Sequence, residues 1–240
     1  MYRLLLLVTL IVTSCAPAYI SNTRNVPMFA EANEFAGSVA LSSGVDVQAA
    51  YSLTDHIAIM ANANAVFKEY TPKGKESFKR DHFFGEGGLG YFTRTKQYRF
   101  ELYGGYGMGQ GNSYESFFFF GKEELVAKGK YSRIFFQPSI GTNNKKFNLA
   151  FTARLSMVDF SEFTTTDPAA VAPTYKPTDG IHTFIEPSLT ARFHLAGNLR
   201  GFFQLGLNQP LNSDVYFSFV PIQAAIGIQI HTGQLSTRVY

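Results

Sequence analysis

The sequence contains no tryptophan and only one cysteine, Cys15, so no intramolecular disulfide is expected. Its N-terminal apolar run, residues 4–12, is nine residues long, which is too short for a membrane-spanning helix. The chain has no glycine-rich phosphate loop, no Cys/His metal cluster and no nucleophile elbow, so we expect no cofactor and no metal. A formal net charge of +3 is too small to indicate a nucleic-acid partner.

Phenylalanine, tyrosine and glycine are abundant instead, with 24, 13 and 21 residues among 240. Phe and Tyr favour strands and anchor at membrane interfaces, and glycine lets strands bend at barrel corners. Hydrophobic residues make up 45% and the mean hydropathy is -0.03. These values suit a soluble protein, but also a membrane barrel, because lumen-facing residues dilute lipid-facing ones. The length predicts a single domain or a domain with a small appendage.

Residues 147–157, FNLAFTARLSM, alternate with a period of two. Phe147 and Phe151 face one way, and Thr152 and Arg154 face the other, so the stretch is predicted to be a strand with one apolar face. About ten such residues cross a membrane when the strand is tilted.

Similar stretches recur along residues 35–232, and they predict an all-β fold: a single antiparallel transmembrane β-barrel of about ten strands, within a range of eight to twelve. Short connections alternate with long ones, as periplasmic turns and external loops do in outer-membrane barrels. An even number of strands would leave both termini in the periplasm. We therefore expect a protein of the cell outer membrane.

A weak five-residue repeat falls on every second predicted strand. It consists of Gln or Glu, two small residues, a bulky residue and a small residue, and its first residue would point into the lumen. The five first residues are Gln48, Glu86, Gln137, Glu186 and Gln223. We expect a layer of inward amides and carboxylates.

The N-terminus has the features of a targeting segment. Arg3 precedes the apolar run, and the following residues, Val12-Thr13-Ser14-Cys15, resemble the bacterial lipobox, in which the cysteine is acylated and becomes the new N-terminus. This predicts a signal peptide over residues 1–14, cleaved before Cys15. An alternative cleavage would follow Ala18, because Ala16-Pro17-Ala18 has the small-x-small form.

Two segments flank the predicted barrel. Residues 15–34 lack a clear period and are expected to form a periplasmic tether or a partial plug of the lumen. Residues 233–240 would form a C-terminal tail.

Eight charged side chains are predicted to line the lumen: Glu86, Arg99, Glu101, Arg133, Arg154, Glu186, Arg192 and Arg200. In a narrow barrel such charges would pair with one another and fill the interior as a structural network. The surplus of arginine is also compatible with a small pore that favours anions.

Two features of the predicted external loops would contact lipid or a protein partner. Phe117, Phe118, Phe119 and Phe120 would extend a strand, enter the outer leaflet or bind a partner. Lys73, Lys75, Lys79 and Arg80 form a basic cluster that is either solvated or in contact with lipopolysaccharide phosphates.

With the lipobox, the stretch Asn-Val-Pro-Met-Phe at residues 25–29 and the alternating strands, the chain resembles the small outer-membrane β-barrel proteins of Gram-negative bacteria, including lipidated ones. The resemblance is architectural. It implies surrounding outer-membrane lipid and lipopolysaccharide, insertion by the barrel-insertion machinery, and no specific activity.

The leading functional prediction is a lipidated outer-membrane barrel with a structural, interaction or narrow-channel, porin-like role. One alternative is an outer-membrane lipid-modifying enzyme, since His182, Glu186 and Ser188 share a strand face. Their spacing along one strand keeps them from touching, so we assign no catalytic residue and favour a protein that is not an enzyme. The other alternative is a periplasmic, lipocalin-like binder of an apolar ligand, which requires Phe151 inside the barrel and Arg154 outside.

Overall fold

A computed structural model describes residues 17–70, 78–117, 123–144, 146–166, 178, 180–212, 215 and 217–232. The predicted signal peptide, Cys15 and the C-terminal tail lie outside the described residues. Among the residues described, no helix is long and apolar enough to cross a membrane.

Ten long strands form one closed antiparallel barrel, which confirms the predicted fold class. The strands are β1 (Phe35–Leu41), β2 (Val45–Ser52), β3 (Ile57–Tyr70), β4 (Phe78–Arg94), β5 (Tyr98–Phe117), β6 (Glu123–Thr142), β7 (Phe147–Thr165), β8 (Ile181–Ala196), β9 (Leu199–Leu207) and β11 (Ile222–His231). Consecutive strands pair from β1 to β9, and β11 closes the ring between β9 and β1. A two-residue strand, β10 (Gln209–Pro210), pairs with β8.

Six strands, β3 to β8, are longer than the sequence predicted, with 14 to 20 residues each. The alternation of apolar side chains ends before the backbone hydrogen bonds do, because strand pairing continues beyond the apolar part of the barrel. The apolar alternation alone would leave residues 68–80 and 110–128 as loops, whereas β4 already begins at Phe78 and β5 extends to Phe117.

The two ends of the barrel differ in the length of their connections. At one end, the short-turn end, strands are joined through residues 53–56, 95–97, 143–146 and 197–198, and here β1 begins and β11 ends. At the other, the long-loop end, residues 71–77, 118–122, 166–180 and 208–221 join strands, together with a tight turn at 42–44. This asymmetry is typical of outer-membrane barrels.

Side chains alternate between the two faces of the barrel wall as predicted for residues 147–157. Phe147 and Phe151 are 50% and 49% exposed on the outside, whereas Arg154 is fully buried inside. The register required by the lipocalin-like alternative, with Phe151 inside and Arg154 outside, is therefore not found. The large apolar residues of β7 up to Met157 face outward, whereas Phe160 near the long-loop end faces inward.

The outward apolar residues form a band around the barrel. On β4 the band runs from Phe83 to Tyr91, which is roughly 27 Å along the strand at about 3.4 Å per residue. With a strand tilt of about 40°, this corresponds to roughly 21 Å along the barrel axis, close to the ~25 Å apolar height of known membrane barrels. Exposed aromatic residues mark the short-turn edge: Phe35, Tyr51, Tyr91, Tyr98, Phe147 and Phe193.

Glycine lines part of the inner wall where large side chains need room. Gly105 on β5 lies beneath the ring of Phe135, and a Cβ at this position would be 2.6 Å from that ring and 2.3 Å from the carbonyl oxygen of Gly87. A Cβ on Gly90 would likewise be too close to the ring of Tyr103. The glycines of β4 and β5 thus leave space for two buried aromatic side chains.

Candidate functional site

The lumen of the barrel is occupied by the chain's own N-terminal segment. Residues 17–29, which we call the plug, are all buried, and residues 30–34 lead from it to β1 at the short-turn end. For residues 15–34 the sequence was compatible with either a periplasmic tether or a partial plug. In the structure, residues 17–29 lie inside the barrel. The plug has no regular secondary structure apart from a single bridge between Tyr19 and Phe219.

All five residues that begin the sequence repeat contact the plug. Three glutamines donate their side-chain amides to plug carbonyl groups over 2.6 to 2.8 Å. The pairs are Gln48 with Thr23, Gln137 with Asn25, and Gln223 with Ser21. The two carboxylates accept from plug side chains: Glu86 from Asn22 Nδ2 at 2.9 Å, and Glu186 from the Tyr19 hydroxyl at 2.6 Å. We call these five wall residues the girdle.

A buried charge centre surrounds Asn22. The Glu86 carboxylate pairs with the Arg133 guanidinium, and Arg154 Nη1 lies 3.5 Å from its Oε1. Asn22 Oδ1 accepts hydrogen bonds from Arg133 at 2.6 Å and from Arg154 at 3.1 Å. All three charged side chains are fully buried. The plug therefore supplies the polar group that joins two arginines to one glutamate.

Arg24 is the plug's own buried charge. Its guanidinium lies 3.6 Å from Glu186 Oε2, donates to Gln223 and donates to the Leu207 carbonyl at 3.1 Å. Gln204 on β9 accepts from the Arg24 backbone N–H at 2.8 Å and donates to its carbonyl at 2.9 Å. Both the main chain and the side chain at this position are thus fixed to the wall.

Near the short-turn end, wall charges bind the plug main chain. Arg192 donates to the Val26 carbonyl, Arg99 donates to the Met28 carbonyl, and Glu101 accepts from the Phe29 N–H at 2.9 Å. Met28 has a positive φ of 60°, an uncommon conformation for a side chain of this kind. Arg200 also faces the lumen and is 8% exposed.

All eight charged residues predicted for the lumen are therefore buried on the inner side of the wall. Many of their partners belong to the plug, and only some belong to one another. Sequence reasoning did not identify the plug residues Tyr19, Asn22 and Arg24 as members of this network, nor Asp46 of the wall, which accepts from Thr23 Oγ1 at 2.7 Å. The one available signal was a run of polar residues, 21–25, without a period of two.

Aromatic clusters close the lumen at both ends of the plug. At the long-loop end, Tyr19 packs in a buried cluster with Phe84, Tyr131, Phe160, Phe184 and Phe217. At the short-turn end, Phe29 packs with Phe92, Tyr103 and Phe135. The charge centre around Asn22 thus lies between two apolar layers, which limit the access of water to it.

The residues considered for lipid-modifying chemistry have other surroundings. His182 is buried with its ring 4.9 Å from that of Phe217, and Glu186 is bonded to Tyr19 in the plug. Ser188 is also buried in the lumen. No group of three or more His, Cys, Asp or Glu side chains in the described ranges could hold a metal ion.

The predicted surface features are only partly described. Lys79 and Arg80 belong to β4 and not to a loop, and Lys79 lies 3.8 Å from Glu69 and 3.7 Å from Asp81. Phe117 ends β5. Lys73, Lys75, Phe118, Phe119 and Phe120 lie outside the described residues.

The fold and its occupied lumen define the class of protein: a ten-stranded antiparallel β-barrel closed by its own N-terminal segment. No family model matches the chain, and no curated protein does.

Three solved structures show a similar kind of barrel. The outer membrane protease OmpT from Escherichia coli has 9% identity and a TM-score of 0.46, over 88% of this chain and 99% of that one. The KdgM porin in complex with disordered oligogalacturonate has 8% identity and a TM-score of 0.31, over 82% and 98%. OmpT, an outer membrane protein of Vibrio cholerae, has 8% identity and a TM-score of 0.25, over 83% and 95%. Sequence identities and TM-scores this low do not indicate any activity for this chain.

The buried charge centre predicts that two Glu→Gln substitutions differ greatly in their effect on the free energy of unfolding. Glu86→Gln removes the carboxylate that pairs with the buried Arg133 and Arg154, so we expect a loss of about 3–5 kcal/mol in the free energy of unfolding. Glu162→Gln removes the partner of Lys130 in an exposed pair at 3.0 Å and should cost about 0–1 kcal/mol. The measurement is urea unfolding of both variants in detergent micelles or lipid vesicles, and equal losses would contradict the described network.

Proposed function

We propose that the protein is an integral outer-membrane β-barrel, lipidated at Cys15, with a structural or interaction role, and that its own plug keeps it from acting as an open channel. The observation that carries the proposal is the pairing of an apolar outer band with a polar, filled lumen. A soluble protein of this size would expose such a continuous apolar band to water at a high cost in free energy.

The apolar band supports membrane insertion because its chemistry and height suit a bilayer. Its residues on the six longest strands lie outward at every second position, and on β3, β4, β6 and β7 charged residues replace them toward the long-loop end. On β4 the change occurs between Asp81 and Phe83, and on β6 between Lys130 and Ile134. Closure of the sheet also leaves every barrel strand paired on both sides, as hydrocarbon requires of a spanning backbone.

The filled lumen argues against an open channel. Hydrogen bonds from residues 17–29 reach nine of the ten barrel strands, from β2 to β9 and β11. The aromatic clusters at both ends leave the plug no hydrated surface. A structural role, or an interaction through the external loops, therefore agrees better with the geometry than transport does.

Membrane insertion predicts that a charge on the outer band is costly. Phe151→Arg, near the middle of the band, should lower the free energy of unfolding by about 2–4 kcal/mol in lipid vesicles. The same change at Leu53, in a turn at the short-turn edge, should cost about 0–1 kcal/mol. In a soluble barrel both exposed positions would tolerate arginine within about 0.5 kcal/mol, and that result would refute the membrane assignment.

Lipidation of Cys15 is supported by the four-residue lipobox resemblance and by the lack of a second cysteine. The mature protein should begin at Cys15 and carry the mass of a diacylglyceryl group, whereas Cys15→Ser should remove that mass. Intact-mass spectrometry of the two proteins from the outer-membrane fraction makes the comparison. A wild-type chain that begins after Ala18 would instead show the alternative cleavage.

A further inference from the structure

The two ends of the plug contact opposite ends of the barrel. We infer that the chain enters the lumen at the long-loop end, so that Pro17, at the start of the plug, lies on the external side of the outer membrane. This inference rests on the proposed outer-membrane function, and it changes the expectation that the N-terminus is periplasmic. That expectation took the start of β1 as the place where the N-terminal part of the chain lies.

Contacts at the first end of the plug are with the long-loop end of the wall. Ser113 Oγ donates to the Pro17 carbonyl at 2.9 Å, and Ser113 lies close to the long-loop end of β5. The Ala18 N–H donates at 2.8 Å to the carbonyl of Ser218, which belongs to the long connection between β9 and β11.

Contacts at the other end of the plug are with the short-turn end. Phe29 donates its N–H to Glu101, and Arg99 donates to the Met28 carbonyl. Glu101 and Arg99 lie in the first residues of β5, directly after the turn at 95–97. Arg99 also donates to Asn143 at 2.8 Å, which belongs to another short turn.

The plug runs through the whole barrel and does not turn back inside it. Twelve residues separate Pro17 from Phe29, and twelve also separate their partners Ser113 and Glu101 on β5. The plug therefore advances one residue for each residue of an extended strand, in the opposite direction to β5. Twelve strand residues cover roughly 40 Å, which at a tilt of about 40° is roughly 31 Å along the barrel axis and matches the ~25–30 Å of a membrane's apolar core.

Membrane sidedness follows from the ends of the barrel. Long connections and charged strand extensions occur together at the end where the plug begins. In outer-membrane barrels the long loops are external and the short turns periplasmic. Cys15 is two residues from Pro17, a reach of roughly 7 Å. A lipid on Cys15 would then be held toward the outer leaflet.

The direction of the plug can be tested with cysteine pairs in the otherwise native chain. Ala18→Cys with Gly111→Cys joins positions at the long-loop end, where a Cβ on residue 111 would be 3.8 Å from the Ala18 carbonyl oxygen. We expect this pair to form a disulfide, so that both thiols stay unreactive toward a maleimide reagent after the protein is unfolded without reductant. The control pair, Ala18→Cys with Asn143→Cys, places the second thiol at the short-turn end and should remain reactive.

Sidedness is measured on variants with one introduced cysteine at an exposed position. A membrane-impermeant maleimide should label Lys128→Cys on intact cells, but Gln97→Cys only after the outer membrane is permeabilised. Folding of every variant is checked by the shift in gel mobility on heating. If the Gly111 pair does not fold, Pro17→Cys with Ser113→Cys makes the same test, since the two residues are in direct contact.

Three results would overturn the inference: a disulfide between positions 18 and 143, no disulfide at either long-loop pair in folded protein, or labelling of Gln97→Cys but not Lys128→Cys on intact cells. A different result would refute the proposed function itself. In that case the wild-type protein would be recovered in the soluble fraction without detergent, whichever disulfide formed.

Discussion

The structure depends on one constraint: the polar groups that point into the barrel must have partners where water is excluded. Glu86, Arg133 and Arg154 are fully buried, and Asn22 of the plug bonds to all three. Each buried polar group left without a partner costs about 1–3 kcal/mol, and a charged group costs more. The wall and the plug therefore stabilise each other, and neither has a satisfied interior without the other.

This dependence has a consequence for assembly. The plug is bonded to most of the barrel strands and is closed off by aromatic clusters at both ends. A segment held in this way cannot easily be threaded through a finished barrel, so it is expected to be enclosed while the barrel closes. The girdle would then guide closure, because its five members lie on alternate strands around the ring and each contacts at least one plug residue.

Local sequence patterns predicted the wall well and the lumen poorly. The alternation at residues 147–157 correctly placed Phe151 outside and Arg154 inside, because a half-buried strand has a strict period of two. The same alternation stops short of the true strand ends, since above the apolar band backbone pairing continues with polar side chains on the outside. The plug has no period at all, because its carbonyl and amide groups are bonded one by one to wall side chains. Only the sheet closure brings Asn22 to Glu86, 64 residues away in the chain.

The five-residue repeat was recognised in the sequence, but its function in the fold is explained only by the structure. From the sequence it predicted inward amides and carboxylates, and all five are buried on the inner wall. Their partners could not be predicted, because the repeat describes one side of the contact and the aperiodic residues 19–25 provide the other. In the described structure the repeat therefore holds a specific segment of the chain.

The most direct test of this account is ion conductance in planar lipid bilayers. The wild-type protein should give no sustained current, because residues 17–29 and the aromatic clusters fill the lumen. A variant that lacks residues 17–29 should conduct if it folds, because water would then have to replace the plug beside the girdle. A steady current through the wild-type protein would contradict the account.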